Sequence, residues 1–493
     1  MTKLIPAATD NEGGEQSNGA KRILIVGGVA AGMKAAATAR RRNQDADITV
    51  LQDEAEVSYS ACGLPYHLAD PAAIPRARLI ARSVDQFRRE GIDLRVRHRV
   101  EGVDLENRTA TVNDIAAAQD HVIPFDEVIF ATGARPVVPP MTICRNAVPV
   151  VALRSLANAD RLRELMPAVR RVAIVGGGYI GLETAETFRL LGATVTVVEA
   201  MPQLLSPFDQ VVRDAVAAQL ASHGVGIRVG ACVTEVTSAG LALRNGGFIE
   251  ADAVLTATGV RPRVDLMVAA GVPLGPTGAV AVDERMQTRI AGAYAAGDCA
   301  EARHFVSGKP VWYPLGDVAN RQARVAGTNA AGGSASFPGV LGTAIFRVFD
   351  LAVARTGLSL AQARDAGFDP VRVQIQAPSR ARYMPQSRPI ELILIVDQPS
   401  GRVLGGEAAG QDSVDKCIDI VATAVWGRLS VDDLADLDLA YAPPFSPVMA
   451  PVQVAAEVAR KEARQTFDQV TVMSPAHIHN ATVDHDQRSV TTK

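Results

Sequence analysis

Hydrophobic and polar positions divide this chain into strands and helices before any motif is considered. Residues 21–42, KRILIVGGVAAGMKAAATARRR, put an apolar β-branched run against a glycine pair and follow it with an alanine-rich stretch; ITVLQ comes next at 48–52. The pattern predicts a buried strand, a helix and a second strand, a βαβ unit. Residues 171–199, RVAIVGGGYIGLETAETFRLLGATVTVVE, repeat it, so two dinucleotide-binding folds are expected. Each is followed by an apolar strand running into a turn, DEVIFATGARP at 126–136 and ADAVLTATGVRP at 251–262. AYAAGDCA at 293–300 resumes a strand pattern and is expected to return to the first domain, which makes the second fold an insertion.

From about residue 338 the texture changes to GVLGTAIFRVFDLAVARTG, then the strand ELILIVD and the helical VDKCIDIVATAVW, which predicts a separate α+β domain. The expected architecture is thus α/β: one Rossmann-like domain over 21–150 and 263–337, a second over 151–262, and a C-terminal domain over 338–455. Residues 1–20 and most of 456–493 are polar and poor in aromatics, and are expected to be disordered tails.

Length and charge narrow the function classes. A chain of 493 residues exceeds one ordinary core. With 50 Lys+Arg against 53 Asp+Glu it has no global field for nucleic acid or an anionic membrane. No apolar run reaches the length of a membrane span and the start has no signal-like apolar region, so a cytoplasmic protein is expected. The five cysteines (Cys62, Cys144, Cys232, Cys299, Cys417) form no CxxC pair and no metal-ligand spacing; no metal site is expected.

Chemistry concentrates at the glycine turns. Gly176, Gly178 and Gly181 form a complete GxGxxG between strand and helix, a pattern that lets a pyrophosphate approach the backbone at a positive helix N-terminus. Glu199, ending the next strand, suits a ribose 2′-hydroxyl and repels a 2′-phosphate, so NADH is favoured over NADPH, which stays open as a donor. The first unit is less regular: Gly27, Gly28 and Gly32 leave Val29 at the middle position, and Gln52 stands where the ribose-binding acid is expected. SYSACGLPYHL, residues 58–68, lies just beyond the second strand, where a residue can face a flavin ring. A cysteine opening a short helix there, Cys62, is expected to be held as thiolate by the helix dipole.

Taken in order, VGGVAAG, SYSACGLPY, ATGARP, GGGYIGLE, AAGDCA, PLGDVANRQARVAG, GVLGTAIFRVFDL and DLAYAPPFSP make residues 21 to about 455 resemble the single-cysteine branch of the pyridine nucleotide-disulfide oxidoreductases, nearest to coenzyme A disulfide reductases and NAD(P)H-dependent persulfide or polysulfide reductases. The resemblance implies FAD, with Asp298 on its ribityl chain and Glu183 of GGGYIGLE among the cofactor-binding residues. It implies a homodimer through the C-terminal domain, with Tyr441 of YAPP reaching the other subunit's Cys62 and Tyr383 of ARYMP near the same site. It implies a groove for coenzyme A along the first Rossmann helix, where Lys34, Thr38 and Arg41 share a face by spacing and Ser58 lies at the thiol end. The chain departs from relatives at His67, where dithiol enzymes carry a second cysteine, at Ala61 before Cys62, and at Ala30, where oxidases and peroxidases of this branch carry a histidine. The expected activity is reduction of a low-molecular-weight disulfide, persulfide or polysulfide; the runners-up are an NADH oxidase or peroxidase and a flavin redox sensor or donor to a protein partner.

Overall fold

The computed structural model describes residues 19–472. The first sheet is five-stranded and parallel, in the order Ala293–Ala295, Glu127–Phe130, Arg22–Val26, Asp47–Gln52, Ile92–Val96. Its central strand is apolar on both faces because helices cover it: Ile23, Leu24 and Ile25 are all buried. The alanines of helix Ala30–Arg42 have a packing reason. A β-carbon on Gly327 of helix Gly316–Ala330 would lie 2.4 Å from the Ala35 carbonyl oxygen, so the two helices meet nearly backbone to backbone. Larger side chains at either position would push them apart.

All strands of the second parallel sheet, Val150–Ala152, Ala253–Thr256, Arg171–Val175, Thr194–Val198 and Gly226–Arg228, fall between the last two strands of the first, so the second Rossmann unit is inserted into the first. The two crossings pair with each other. Ala134–Pro136 and Val260–Pro262 form a two-stranded antiparallel ribbon from the repeated ATGxRP segments.

The C-terminal domain is a five-stranded antiparallel sheet in the order Ala344–Val348, Leu351–Gly357, Val403–Gly410, Pro389–Asp397, Pro370–Pro378. Helix Val414–Gly427 lies on it through Val414, Cys417, Ile418, Val421 and Val425, a three-and-four spacing that gives one apolar stripe. This domain also grips the inserted unit. Phe346 and Phe349 share a core with Phe188 and Phe208, the His223 ring stacks on Phe349 at 3.7 Å, and Arg372 grips Asp209 with Nε 2.5 Å from one carboxylate oxygen.

One boundary expectation is corrected. Residues 456–472 are not a tail but continue helix Pro451–Val472. Val452, Ala455, Ala456 and Ala459 are buried against the C-terminal domain, an apolar stripe that the lack of aromatics conceals. Residues 1–18 and 473–493, expected to be disordered, lie outside the described residues.

Candidate active site

Both glycine turns lead into helices without a capping side chain. Helix Ala30–Arg42 begins after Val29, and helix Tyr179–Leu190 after Gly178, with no capping side chain and no acid in the first turn. The amide groups of each first turn therefore lack a side-chain acceptor. Gly32 and Gly181 allow the close approach of helix to strand: a β-carbon would sit 1.7 Å from the Gly27 carbonyl oxygen and 2.1 Å from that of Gly176. Gly27 and Gly176 both have positive φ. A β-carbon on Gly178 would meet nothing within 4 Å; in the first unit Val29 fills that place.

Gln52 and Glu199 do matching work. The Gln52 side-chain oxygen accepts from the Gly28 amide at 2.8 Å, and one Glu199 oxygen accepts from the Gly177 amide at 2.7 Å. The other Glu199 oxygen accepts from the Met201 amide at 2.8 Å. Glu199 thus holds the turn together as well as placing a negative charge beside it.

Around the first turn opens a cleft of about 880 Å³, within the size range of cofactor pockets. Its walls include Val29 and Ala30 at the helix start, Lys34 and Arg41 further along, Ser58 to Cys62, and Asp298. These features fit a bound flavin dinucleotide: an uncapped helix N-terminus and glycines that leave room at one part of the wall, a thiol and a carboxylate at another. Ser58 has φ 50° and donates its amide to the Gly28 carbonyl at 2.9 Å, which ties the cysteine segment to the glycine turn. Thr38 does not join Lys34 and Arg41 on the wall. It is buried, and its hydroxyl donates to the Lys34 carbonyl at 2.8 Å while accepting from Arg41.

Cys62 lies in a 3-10 turn, Ala61–Gly63, leading into helix Leu64–Ala69. Alone among the five cysteines it is exposed, and it opens onto the cleft. The expectation of a dipole-stabilised thiolate is corrected. Crowding by protein on its other sides pushes the thiol's pKa up, and the charges of Glu183 and Asp298 push the same way against Arg154. The helix that follows has only six residues. His67 is buried with Nδ1 2.7 Å from the Ile74 carbonyl oxygen, a local structural bond in the place of a second cysteine.

Asp298 is held from three directions. Arg154 Nη2 lies 2.5 Å from its carboxylate, Trp312 Nε1 donates to its carbonyl at 2.9 Å, and the preceding Gly297 amide donates to Gln322 Oε1 at 2.9 Å. Sequence reading missed Arg154, which reaches across from the inserted unit. Gln322 stood within PLGDVANRQARVAG, but that motif alone assigned it no task.

Behind the cysteine helix, Tyr66 donates to Glu183 Oε1 at 3.2 Å. Burial lifts the Glu183 carboxyl to about 7, with Glu186 adding and the Tyr66 bond opposing. Glu183 does not line the cleft. Nor do Tyr441 and Tyr383, which are 48% and 74% exposed on the C-terminal domain. Their loops are tied by an Ala381 amide to Pro443 carbonyl bond of 3.2 Å, so they form one exposed patch.

Among the described residues no helix is long and apolar enough to cross a membrane. Residues 21–328 match the family model of the pyridine nucleotide-disulphide oxidoreductases, and 343–452 match that family's dimerisation domain. The chain is 35% identical over 439 residues to an NAD(P)H coenzyme A polysulfide/persulfide reductase of Pyrococcus horikoshii, covering 87% of this chain and 96% of the relative. It is 33% identical to an NADH oxidase of Methanocaldococcus jannaschii, over 86% and 95% of the two chains. The structure of an NAD-dependent persulfide reductase from A. fulgidus superposes with TM-score 0.86 at 37% identity, covering 90% of this chain and 84% of that one. Two uncapped glycine turns, an inserted second Rossmann unit and a cleft-facing cysteine are joined here by matches spanning nearly all of the described chain, and the protein is an enzyme of the pyridine nucleotide-disulphide oxidoreductase family.

Proposed function

We propose that the enzyme takes hydride from NADH and reduces a low-molecular-weight disulfide, persulfide or polysulfide, with coenzyme A as the thiol carrier, through Cys62. The observation that carries this reading is the placement of Cys62: one exposed, unpaired thiol in the wall of a dinucleotide-sized cleft that no second cysteine lines. FAD, when bound, supplies hydride acceptance and two-electron delivery to sulfur. The glycine turns and Gln52 hold the flavin dinucleotide, with Asp298 on its ribityl chain. Gly176 to Gly181, Glu183 and Glu199 serve the nicotinamide dinucleotide. The Cys62 thiolate attacks one sulfur of the substrate and expels the other as thiolate, which leaves a mixed disulfide whose reduction by two electrons restores Cys62. Lys34 and Arg41 give the cleft wall cationic charge for coenzyme A phosphates, with Ser58 towards the thiol. In a homodimer, Tyr441 and Tyr383 serve the Cys62 of a second copy and protonate the leaving sulfur.

Cys62→Ser tests this. Disulfide and persulfide reduction are expected to vanish while anaerobic bleaching of the flavin by NADH persists, because hydride transfer precedes the thiol step. Full disulfide reductase activity in the variant, or steady oxygen consumption that ignores added disulfide, refutes the proposal and favours an oxidase.

A further inference from the structure

Resting on the reading of Cys62 as the reacting thiol, we propose that Glu183 is a positioning residue for it: a carboxyl, anchored by Tyr66, whose proton state governs how readily Cys62 ionises. The geometry supports this without a cofactor. Tyr66 follows Cys62 by four residues, and its hydroxyl bridges to Glu183 on helix Tyr179–Leu190, which packs against the cysteine helix. The carboxyl is thus held against the cysteine helix and is not part of the cleft wall.

The charges facing this pair come from several elements. Arg154 and Asp298 act on Cys62 with opposite signs. Glu186, one turn along the same helix, repels the Glu183 carboxylate. Arg347, on strand Ala344–Val348, opposes the acids at Tyr66 and Glu186, and Asp350 and His223 act on Glu186. Among these, Glu183 is the charge with the largest effect on Cys62. Burial lifts its carboxyl to about 7, so its charge changes across neutral pH.

The consequence has a definite sign. A charged Glu183 disfavours a thiolate at Cys62, and a neutral one removes that repulsion, so the two groups resist carrying negative charge together. Ionisation of Cys62, whose proton leaves to solvent, is therefore easier in molecules whose Glu183 is neutral. No electrons move in this step.

The test is the rate of alkylation of Cys62 by iodoacetamide in the intact flavoprotein, reduced, desalted and free of NADH, followed by mass over a series of pH values. Cys62→Ser protein supplies the background from other cysteines. Wild type is expected to give a curve broader than a single proton dissociation. Glu183→Gln should give a single-proton curve displaced to lower pH, with alkylation faster by at most about twofold at pH 7 and by about threefold or more at pH 8, where most wild-type Glu183 is charged. Superimposable wild-type and Glu183→Gln curves, with flavin content and melting temperature retained, overturn the proposal. Should Glu183→Gln fail to hold flavin, Tyr66→Phe decides: loss of the hydroxyl that favours the carboxylate must also speed neutral-pH alkylation, and an unchanged rate overturns the proposal. Alkylation involves no substrate, whereas the reductase reading fails in turnover of Cys62→Ser, so the two failures are told apart.

Discussion

Gly178 and Gly181 stand three residues apart in one motif, yet the structure predicts different consequences for the same added methyl group. At Gly178 the backbone has φ −88° and ψ −175°, a region open to any residue, and a β-carbon meets nothing within 4 Å. Alanine is a poorer N-cap than glycine, a loss of about 0.5–1 kcal/mol, so Gly178→Ala should fold and keep its flavin. The methyl projects into the space beside the uncapped helix N-terminus, where the pyrophosphate of NADH is expected. Displacing that group should raise the NADH concentration for half-maximal flavin reduction by about tenfold, or roughly 1.4 kcal/mol. At Gly181 the β-carbon would lie 2.1 Å from the Gly176 carbonyl oxygen, against a floor of 3.0 Å for real contacts. Helix and strand must separate by roughly 1 Å, an overpacking penalty of about 1–3 kcal/mol. Gly181→Ala should therefore lower the melting temperature as well as NADH affinity. Stopped-flow flavin reduction under anaerobic conditions, with thermal unfolding in parallel, separates the two variants. An unchanged NADH dependence in well-folded Gly178→Ala would refute the placement of the pyrophosphate.

Three further outcomes follow from the site. Glu199→Arg should shift preference towards NADPH in kcat/KM, but with a loss of NADH efficiency beyond the charge effect, because the Gly177 and Met201 amides lose their acceptor; equal use of both donors by wild type would remove the basis for the change. Arg154→Met should slow alkylation of Cys62 at neutral pH, since it removes the cation that favours the thiolate, and a faster rate would contradict that assignment. Tyr441→Phe should lower turnover on coenzyme A disulfide without affecting flavin reduction, more so when Tyr383 is also changed, because a phenol is an imperfect acid for a good leaving group. Mixing Cys62→Ser with Tyr441→Phe chains should restore activity above either parent, as one site per heterodimer then keeps both groups; no recovery in verified heterodimers would place Tyr441 with its own subunit.

What the sequence made legible was what depends on local pattern. The glycine turns, the repeated βαβ units and the inserted topology follow from apolar runs and glycine spacing that act within about thirty residues. Cys62 could be singled out because its segment follows the second strand directly. Groups brought together from distant segments stayed hidden. Arg154 and Asp298 meet across the two Rossmann domains, and Tyr66 and Glu183 meet across the same two, so no window of sequence contains either pair. The raised pKa of Cys62 was missed for the same reason: the short helix is local, but the burial that raises it most, and the acids that add to it, come from distant segments. The stripe of Val452, Ala455, Ala456 and Ala459 shows a different failure, in which small residues mark a buried face without raising hydrophobicity enough to advertise it.

The ribbon of Ala134–Pro136 and Val260–Pro262 carries a consequence for the history of the molecule. Paired antiparallel strands keep directly opposed α-carbons only about 5 Å apart, so the inserted unit leaves and re-enters its host at a single spot. A segment with adjoining ends can be gained, lost or exchanged in one genetic event while the host sheet keeps its strand order. The nicotinamide-side module of such an enzyme is in this sense a cassette, replaceable without redrawing the flavin-side frame that carries Cys62.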